Sequence, residues 1–291
     1  MSDPDKYLVT GAAGFIGSHL VDRLLERGSV VVGVDNLKLG RLSNLARART
    51  NPRFRFHQAD INDPRALSVI VGSESAAAPF TLAWHLAANS DIRAGVADPE
   101  VDLRDTFLTT HNLLKVLREH RILQVAFAST SAIYGVQPGL LKEDMGPLFP
   151  ISSYGAMKLA SEATLSAALE SFLQRVWIFR FPNVVGSRAS HGAIYDFAQK
   201  LRAHAAELEV LGDGSQAKPY FHVADLVEAM LFIVDPAMRT LPVGMIAFEQ
   251  AHNTDYPALL AGLSLISVPT LLAYAIFNKQ VIRGVVSGTV K

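Results

Sequence analysis

The feature that most constrains the fold is a glycine-rich turn close to the N-terminus. A short apolar run ends at Thr10, and the stretch VTGAAGFIGSHL places Gly11, Gly14 and Gly17 directly before leucines at helical spacing. A turn without Cβ atoms lets backbone N–H groups and a helix N-terminus approach a pyrophosphate closely. Three glycines alone are a weak signal, but their position between a strand and a helix predicts a dinucleotide-binding unit.

Strand-like and helix-like segments alternate along the first 235 residues. Apolar stretches such as VVVGVD, LAWHLAA and QVAFAST alternate with amphipathic stretches about every 20 to 30 residues. This alternation is typical of βαβ units. We therefore predict an α/β fold with a doubly wound, Rossmann-like parallel sheet. Residues 1–175 are predicted to form the dinucleotide-binding domain. Residues 176–235 are predicted to supply the last core strand and a partial, truncated substrate-binding region.

The overall charge is balanced, with 27 basic and 27 acidic residues, and there is no cysteine. A neutral chain builds no broad positive field, so nucleic acid is not predicted as a partner and an anionic ligand must be bound locally. Disulfides and thiolate metal sites are excluded, and the histidines fall singly, so no metal site is predicted. The polar start MSDPDKYLVTG is unlike a secretory signal, which predicts a cytoplasmic protein.

An acidic residue follows the second predicted strand. Asp35 lies 18 residues beyond Gly17, where a carboxylate can accept hydrogen bonds from the hydroxyls of an adenosine ribose. The same carboxylate repels a 2′-phosphate, so the sequence favours NAD over NADP. Lys38 and Arg41 lie nearby and weaken that preference slightly.

A tyrosine and a lysine lie four residues apart in SSYGAMKLASE. Tyr154 and Lys158 therefore share one face of a predicted helix, where an ammonium can stabilise a phenolate and make the phenol a usable base. The preceding strand ends in ASTSAIYG and supplies the hydroxyls of Ser129, Thr130 and Ser131 at a carboxyl end, where ligands bind in open α/β sheets. Capping of the strand end is the structural alternative for these hydroxyls.

Eight motifs occur in the order seen in one enzyme superfamily. TGAAGFIGSHL, DNL, AD at 59–60, HLAA, STSAIYG, YGAMK, FRFPNVVG and GDGSQAKPYFHVADLVEA make residues 6–235 resemble the extended short-chain dehydrogenase/reductases. Within them the chain is similar to the NAD-dependent epimerase/dehydratase family, of the UDP-glucose 4-epimerase type. The resemblance implies a nucleotide-sugar substrate, such as a UDP-sugar, and a homodimer paired through helices like 100–119 and 153–172.

The resemblance also implies roles for individual residues. The pyrophosphate would be held by Gly11, Gly14, Phe15, Ile16 and Gly17. The adenosine ribose would contact Asp35 and Asn36, and the adenine Asp60 and Ile61. The rest of the cofactor path would be lined by Leu86, Ala87, Ala88, Tyr154, Lys158 and Phe181. The substrate would contact Ser131, Asn183 and Lys218.

The implied catalytic triad is Ser131, Tyr154 and Lys158. Tyr154, as phenolate, would take the proton of the sugar 4-hydroxyl while hydride moves from C4 to NAD, and the keto sugar would then be reduced on its other face. Lys158 would favour the phenolate and hold the nicotinamide ribose, and Ser131 would hydrogen-bond the reacting oxygen.

Three positions depart from patterns in that superfamily, and two more distinguish the chain from a neighbouring group. Lys218 stands where an arginine is usual, Thr106 where an asparagine is common, and Ser90 where some members have a lysine. Lysine keeps the charge and loses the bidentate fork. The sugar-nucleotide 4,6-dehydratases carry an Asp-Glu pair after the threonine, but Ser131 and Ala132 follow Thr130 here, so dehydration is not predicted.

The last fifth of the chain has a different character. Residues 238–291, closing in NKQVIRGVVSGTVK, resemble the end of a permease subunit from carbohydrate ABC importers, and residues 257–277 carry no charged side chain, enough to span a bilayer. The flanking charges place the C-terminus in the cytoplasm and the preceding residues outside, which conflicts with a cytoplasmic enzyme. We interpret 236–291 as a permease-like tail of a chimera, with membrane association only if 257–277 inserts. The alternative is that 258–277 forms a buried helix of a substitute substrate domain.

Three functions follow from these patterns. The first is an NAD-dependent nucleotide-sugar epimerase. The second is a catalytically impaired NAD-binding remnant fused to a transporter fragment. The third is a membrane-transport component, which accounts only for the tail.

Overall fold

A computed structural model describes residues 4–137, 139–210 and 217–234 of the 291-residue chain. The predicted C-terminal apolar helix 257–277 and the permease-like tail 236–291 lie outside these residues. Among the helices that are described, none combines the length and the apolar character needed to cross a membrane. The chain divides into two compact units, Met1–Met230 and Leu231–Lys291, and the sheet and the candidate site belong to the first.

Six parallel strands form the central sheet, in the order β3-β2-β1-β4-β5-β6. Their bounds are β1 (Lys6–Thr10), β2 (Val30–Asp35), β3 (Phe54–Gln58), β4 (Leu82–His85), β5 (Gln124–Thr130) and β6 (Arg175–Phe181). The predicted α/β, Rossmann-like fold with a parallel sheet is confirmed. The predicted domain boundary after residue 175 falls at the start of β6, and the division at that point stays a prediction.

Helices connect the strands, and their ends follow local sequence signals. Asp63 accepts hydrogen bonds from the N–H groups of Arg65 and Ala66 and so caps the helix that begins at Pro64. Ser152 caps the helix that carries Tyr154. The helices are α1 (Phe15–Glu26), α2 (Pro64–Ser75), α3 (Ile92–Ala97), α4 (Pro99–Asp102), α5 (Leu108–Glu119), α6 (Ser153–Leu169), α7 (Ala193–Ala203) and α8 (Val223–Val234).

Shorter elements lie between these helices and strands, among them two 3₁₀ turns after β2, Leu42–Leu45 and Ala48–Thr50. A π-helical turn, Leu103–Phe107, lies between α4 and α5, and a 3₁₀ turn, Ser131–Tyr134, follows β5. β7 (Asn183–Val185) and β8 (Tyr220–His222) pair in parallel as a separate small sheet.

The strand order places a crevice beside the glycine turn. From β1 the chain moves to β2 and then β3 on one side of the sheet. It then crosses to β4, β5 and β6 on the other side, so the order of the strands reverses between β1 and β4. Ligands of open α/β sheets bind outside the carboxyl ends of the strands at such a switch point. The turn after β1 and the segment after β4 meet there closely, since a Cβ on Gly11 would lie 2.8 Å from the Ala87 nitrogen.

A buried polar column runs behind this crevice. The His85 ring contacts Thr10 Oγ1 at 2.8 Å and Thr110 Oγ1 at 3.0 Å, and Thr110 donates to Ser161 Oγ at 3.1 Å. These residues link β1, β4, α5 and α6. His85 is fully buried, and burial, with a smaller effect of the Lys158 charge, lowers the pKa of His85 to about 3.

Acid is therefore expected to destabilise the fold through His85. The unfolded chain binds a proton on this ring below a pH of about 6.5, whereas the folded chain excludes it, so the free energy of unfolding falls as pH decreases from about 6.5 towards 3. Urea unfolding of wild type and His85→Gln over this window checks the expectation. For His85→Gln, the free energy of unfolding should change less with pH in this window, by a slope that corresponds to about one bound proton. His111→Gln, at an exposed histidine on α5, should keep that slope, and equal slopes in wild type and His85→Gln would contradict the assignment.

Candidate active site

A cavity of about 780 Å³ opens at the carboxyl edge of the sheet. Its walls come from the glycine turn, the ends of β2 and β5, the segment after β4, the first turns of α6, and residues 181–195 with Lys218 and Tyr220. The structure thus brings together residues that are up to about 200 positions apart in the sequence.

The glycine turn fits a dinucleotide pyrophosphate. A Cβ on Gly17 would lie 2.1 Å from the Gly11 carbonyl oxygen, and Gly11 itself has a φ of 70°. Among the described residues, no side chain caps the N-terminus of α1, and its first turn contains no acidic residue. The backbone N–H groups of this turn and the positive end of the helix dipole therefore face an anion without competition from a side chain of the turn.

Asp35, which is predicted to contact the adenosine ribose, lines the same cavity. Its carboxylate accepts hydrogen bonds from the N–H of Ala13 at 2.9 Å and of Leu37 at 2.8 Å. Burial raises the pKa of Asp35, and these backbone donors oppose the rise. Lys38 forms an ion pair with Asp105 and so turns its charge away from Asp35. The arrangement suits a ribose with free hydroxyls, as the preference for NAD requires.

The other predicted cofactor residues also line this cavity. Asn36 donates to Asp60 at 2.9 Å, which links the segments that follow β2 and β3. Phe181 is 92% buried at the end of β6. The lining includes every residue predicted to hold the cofactor: Gly11, Gly14, Phe15, Ile16, Gly17, Asp35, Asn36, Asp60, Ile61, Leu86, Ala87, Ala88, Tyr154, Lys158 and Phe181.

Lys158 is buried at the base of the site. Its Nζ donates to the Ala128 carbonyl at 2.6 Å and lies 4.6 Å from the centroid of the Phe127 ring and 6.0 Å from that of Tyr154. Burial lowers the pKa of Lys158 to about 7, and the Glu162 carboxylate opposes this change. The lysine therefore sits at the balance between its charged and neutral forms near neutral pH.

Tyr154 lies one helical turn before Lys158. Burial raises the pKa of Tyr154 to about 12, the charge of Asp102 adds to the rise, and a hydrogen bond with Thr130 opposes it. The phenol therefore holds its proton at neutral pH.

The three hydroxyls at the end of β5 separate into three environments. Ser129 is buried and donates to Glu162. Thr130 lines the cavity, is hydrogen-bonded with Tyr154, and its Oγ1 accepts from the N–H of Ala132 at 3.1 Å. Ser131 begins the 3₁₀ turn and is not among the residues that line the cavity.

The hydroxyl beside the phenol is therefore that of Thr130, and the structure does not bring Ser131 there. β5 ends at Thr130, and the tight turn that follows directs the next side chain away from the site. Three adjacent hydroxyls in the sequence carry no local signal that tells which of them faces the cavity, because the choice depends on the residue at which β5 ends.

A partly buried ion pair holds the helix that carries Tyr154 and was not predicted. Arg180 Nη2 donates to Glu162 at 2.9 Å, and Arg180 Nη1 donates to the Tyr134 hydroxyl at 3.0 Å. The pair ties α6 to β6 and to the turn after β5. Its partners are 18 and 46 residues apart, so no local pattern shows it.

The part of the cavity that is predicted to hold the substrate is formed by later segments of the chain. Asn183, at the start of β7, and Lys218, just before β8, both line it, as does Tyr220. The lysine brings a positive charge to this end. The predicted substrate residues Asn183 and Lys218 thus lie on the same cavity as Tyr154.

Known proteins with similar sequences and structures point to one family. The family model described as NAD dependent epimerase/dehydratase family matches residues 7–242. The putative UDP-glucose 4-epimerase of Methanocaldococcus jannaschii is 32% identical over 242 residues, which are 81% of this chain and 76% of that protein. The UDP-glucose 4-epimerase of Mycolicibacterium smegmatis is 34% identical over 79% of this chain and 73% of its own.

A solved structure agrees with these sequences. The UDP-glucose 4-epimerase of Thermus thermophilus in complex with NAD is 32% identical, has a TM-score of 0.70, and is matched over 79% of this chain and 75% of its own. The family match runs a few residues past 235, where the predicted resemblance ended. The permease-like tail stays a prediction. Because the family model covers most of the chain and relatives exceed 30% identity over about four fifths of it, the chain belongs to the NAD dependent epimerase/dehydratase family, whose cofactor is NAD.

Proposed function

We propose that the chain is a nucleotide-sugar 4-epimerase that oxidises and reduces C4 of a UDP-sugar transiently. The observation that carries this proposal is one cavity whose lining includes the glycine turn, Tyr154 with Lys158, and Asn183 with Lys218. The relatives named above carry UDP-glucose 4-epimerase in their names, which supports the choice of reaction.

Bound NAD supplies the hydride acceptor and then the hydride donor. Tyr154 takes the proton of the sugar 4-hydroxyl as C4 is oxidised to a ketone, and it returns that proton when the other face is reduced. The Lys158 ammonium favours the phenolate. The Thr130 hydroxyl, already bonded to the phenol, orients the reacting oxygen. No net oxidation results, because the hydride and the proton both return.

Lys218 and Asn183 are proposed to hold the nucleotide diphosphate end of the substrate. A lysine contributes a point charge to a phosphate without the fixed fork of an arginine. The proposed homodimer, formed through 100–119 and 153–172, and a cytoplasmic location complete the proposal.

Conversion of UDP-galactose to UDP-glucose by the purified chain with NAD tests the proposal. Product would be resolved by nucleotide-sugar chromatography, with absorbance at the reduced-nicotinamide band followed during turnover. We expect interconversion in both directions. Bound NAD without turnover of UDP-galactose or of N-acetylated or glucuronic UDP-sugars would indicate the impaired NAD-binding remnant instead.

The choice of Thr130 over Ser131 makes a matched pair of predictions. Thr130→Val removes the hydroxyl at nearly constant volume and should lower kcat about 100-fold, the usual effect of losing one preorganised hydrogen bond to a reacting oxygen. Ser131→Ala should leave kcat close to that of wild type. Steady-state kinetics of both variants check this, and the reverse order of effects would restore Ser131 as the catalytic hydroxyl.

A further inference from the structure

Two charged side chains in the wall of the cavity are paired with each other and have no role in the reaction proposed above. Lys38 lies in the segment after β2, three residues beyond Asp35, and Asp105 lies in the π-helical turn between α4 and α5. Both line the cavity, and Lys38 Nζ donates a hydrogen bond to Asp105 Oδ2. Since β2 and β4 lie on opposite sides of β1, this ion pair joins segments that follow strands on the two sides of the switch point.

Asp105 is the fixed partner of the pair. Its carboxylate accepts hydrogen bonds from Nε and Nη2 of Arg104, each at 2.9 Å. Its backbone carbonyl accepts from the N–H of Asn89 at 2.8 Å, and the Arg104 carbonyl accepts from Asn62 Nδ2 at 3.0 Å. The turn is therefore tied to the segments after β3 and β4. The side chain of Asp105 is only 14% exposed, whereas that of Lys38 is 52% exposed and is the partner that can move.

The Asp105 carboxylate is ionised. Two cations, Arg104 and Lys38, lie within hydrogen-bond distance of it. The hydrogen bonds from Arg104 lower the pKa of Asp105, burial opposes this change, and the Lys38 ammonium lowers the pKa further. The contact between Lys38 and Asp105 is therefore a pairing of opposite charges at neutral pH.

Lys38 is the cation that a phosphorylated ribose would need. In dinucleotide-binding folds a carboxylate such as Asp35 binds the 2′-hydroxyl of NAD, whereas a nearby arginine accommodates the 2′-phosphate of NADP. A lysine can meet a phosphate as a point charge. Among the described lysines and arginines that line the cavity, Lys38 alone belongs to the segment after β2, since Arg41 is exposed and lies outside the lining.

We propose that Asp105 is a specificity-determining residue for the cofactor, because it engages Lys38 and so denies a 2′-phosphate the cation that could neutralise it. Asp35 repels the phosphate, and Asp105 removes the attraction that would offset this repulsion. The inference concerns the choice between NAD and NADP, so it does not depend on the sugar reaction.

Competition between NAD and NADP for the purified chain tests this proposal. Protein carrying NAD would be equilibrated with increasing NADP and freed of unbound nucleotide, and both cofactors would be released by denaturation and quantified by chromatography. The ratio of bound NADP to bound NAD gives the relative affinity, and the total cofactor content shows that each variant is folded. Asp105→Asn keeps the shape of the side chain and an oxygen that can accept from Arg104, but it removes the charge.

The relative affinity for NADP should rise about 10-fold in Asp105→Asn, the lower range for a hydrogen bond to a charged group. Lys38→Met alone should leave it close to that of wild type, because Lys38 is already engaged. The double variant Lys38→Met/Asp105→Asn should lose the gain. Glu100→Gln, an exposed position of α4 outside the cavity lining, makes the same change in net charge and should have no effect.

Two results would overturn the proposal. One is an unchanged relative affinity for NADP in Asp105→Asn. The other is a gain that persists in the double variant, because Asp105 would then act by repelling the phosphate directly and not through Lys38. Asp105→Ser replaces the asparagine variant in this comparison if the latter does not retain cofactor.

The binding readout separates this inference from the proposed function. A gain in NADP binding that requires Lys38, found in a chain without epimerase activity, would support the role of Asp105 and refute the reaction. Epimerase activity with an unchanged cofactor preference in Asp105→Asn would do the opposite.

Discussion

Tyr154→Phe is expected to lower kcat for epimerisation by about 1,000-fold, within the range that a positioned general acid–base supplies. The variant removes one oxygen and keeps the ring at the first turn of α6. The sugar 4-hydroxyl then has no positioned group to take its proton. Oxidation of C4 is therefore slowed, although the geometry for hydride transfer is unchanged. NAD binding should persist, because the glycine turn, Asp35 and Lys158 are unchanged.

Single-turnover and steady-state kinetics with UDP-galactose measure this loss, and NAD released from the denatured protein measures cofactor content. A variant with full NAD content and wild-type kcat would exclude Tyr154 as the base. A variant that lost NAD as well would show that the phenol helps to hold the cofactor, so kcat has to be compared at equal occupancy.

The protonation state of Tyr154 depends on the burial and the charges around it. The pKa of Tyr154 is about 12 and that of Lys158 is about 7, because desolvation disfavours the charged form of each side chain. At neutral pH the phenol is protonated and the lysine only partly charged. Glu162 helps to keep Lys158 charged, and its hydrogen bond from Arg180 keeps Glu162 in place. Phenolate formation therefore has to be driven by additional positive charge in the cavity, which oxidised nicotinamide carries.

The parts of the site that could be predicted are those whose geometry is determined by residues close together in the sequence. Gly11, Gly14 and Gly17 lie between a strand and a helix, and only residues without a Cβ suit their close backbone contacts. Tyr154 and Lys158 share a helix face because four residues make about one turn. Both sets line the cavity together, since the carboxyl ends of parallel strands meet at one edge.

The parts that were not predictable depend on contacts between distant residues. Which of three adjacent hydroxyls faces Tyr154 depends on where β5 ends, and that is set by its pairing with β6. Glu162 and Asp102 looked like ordinary helix carboxylates in the sequence. Their burial arises only when α6 packs against β6 and α4, so periodicity carried no sign of it.

Gly17→Ala is expected to destabilise the fold by about 3 kcal/mol, the upper range for an overpacked site. The added Cβ would lie 2.1 Å from the Gly11 carbonyl oxygen and 3.3 Å from the Ala12 Cα. Both are backbone atoms, so no side-chain rotation relieves the contact and the turn itself has to move. A shifted turn also misplaces the N–H groups aimed at the pyrophosphate, and loss of one hydrogen bond to a charged group weakens NAD binding about 10- to 100-fold.

Gly72→Ala is the matched control, because this glycine also lies within a helix and a Cβ there would meet only the His120 side chain, at 3.0 Å. That side chain can move, and alanine is the better helix former by up to about 1 kcal/mol, so stability and NAD affinity should be close to those of wild type. Urea unfolding and calorimetric titration of NAD compare the two variants. If Gly17→Ala kept both wild-type stability and wild-type affinity, the close contact between α1 and the turn would not be what shapes the pyrophosphate site. If only the stability of Gly17→Ala fell, the turn could shift and still bind NAD. The pyrophosphate would then be bound mainly by the helix dipole and less by individual N–H groups.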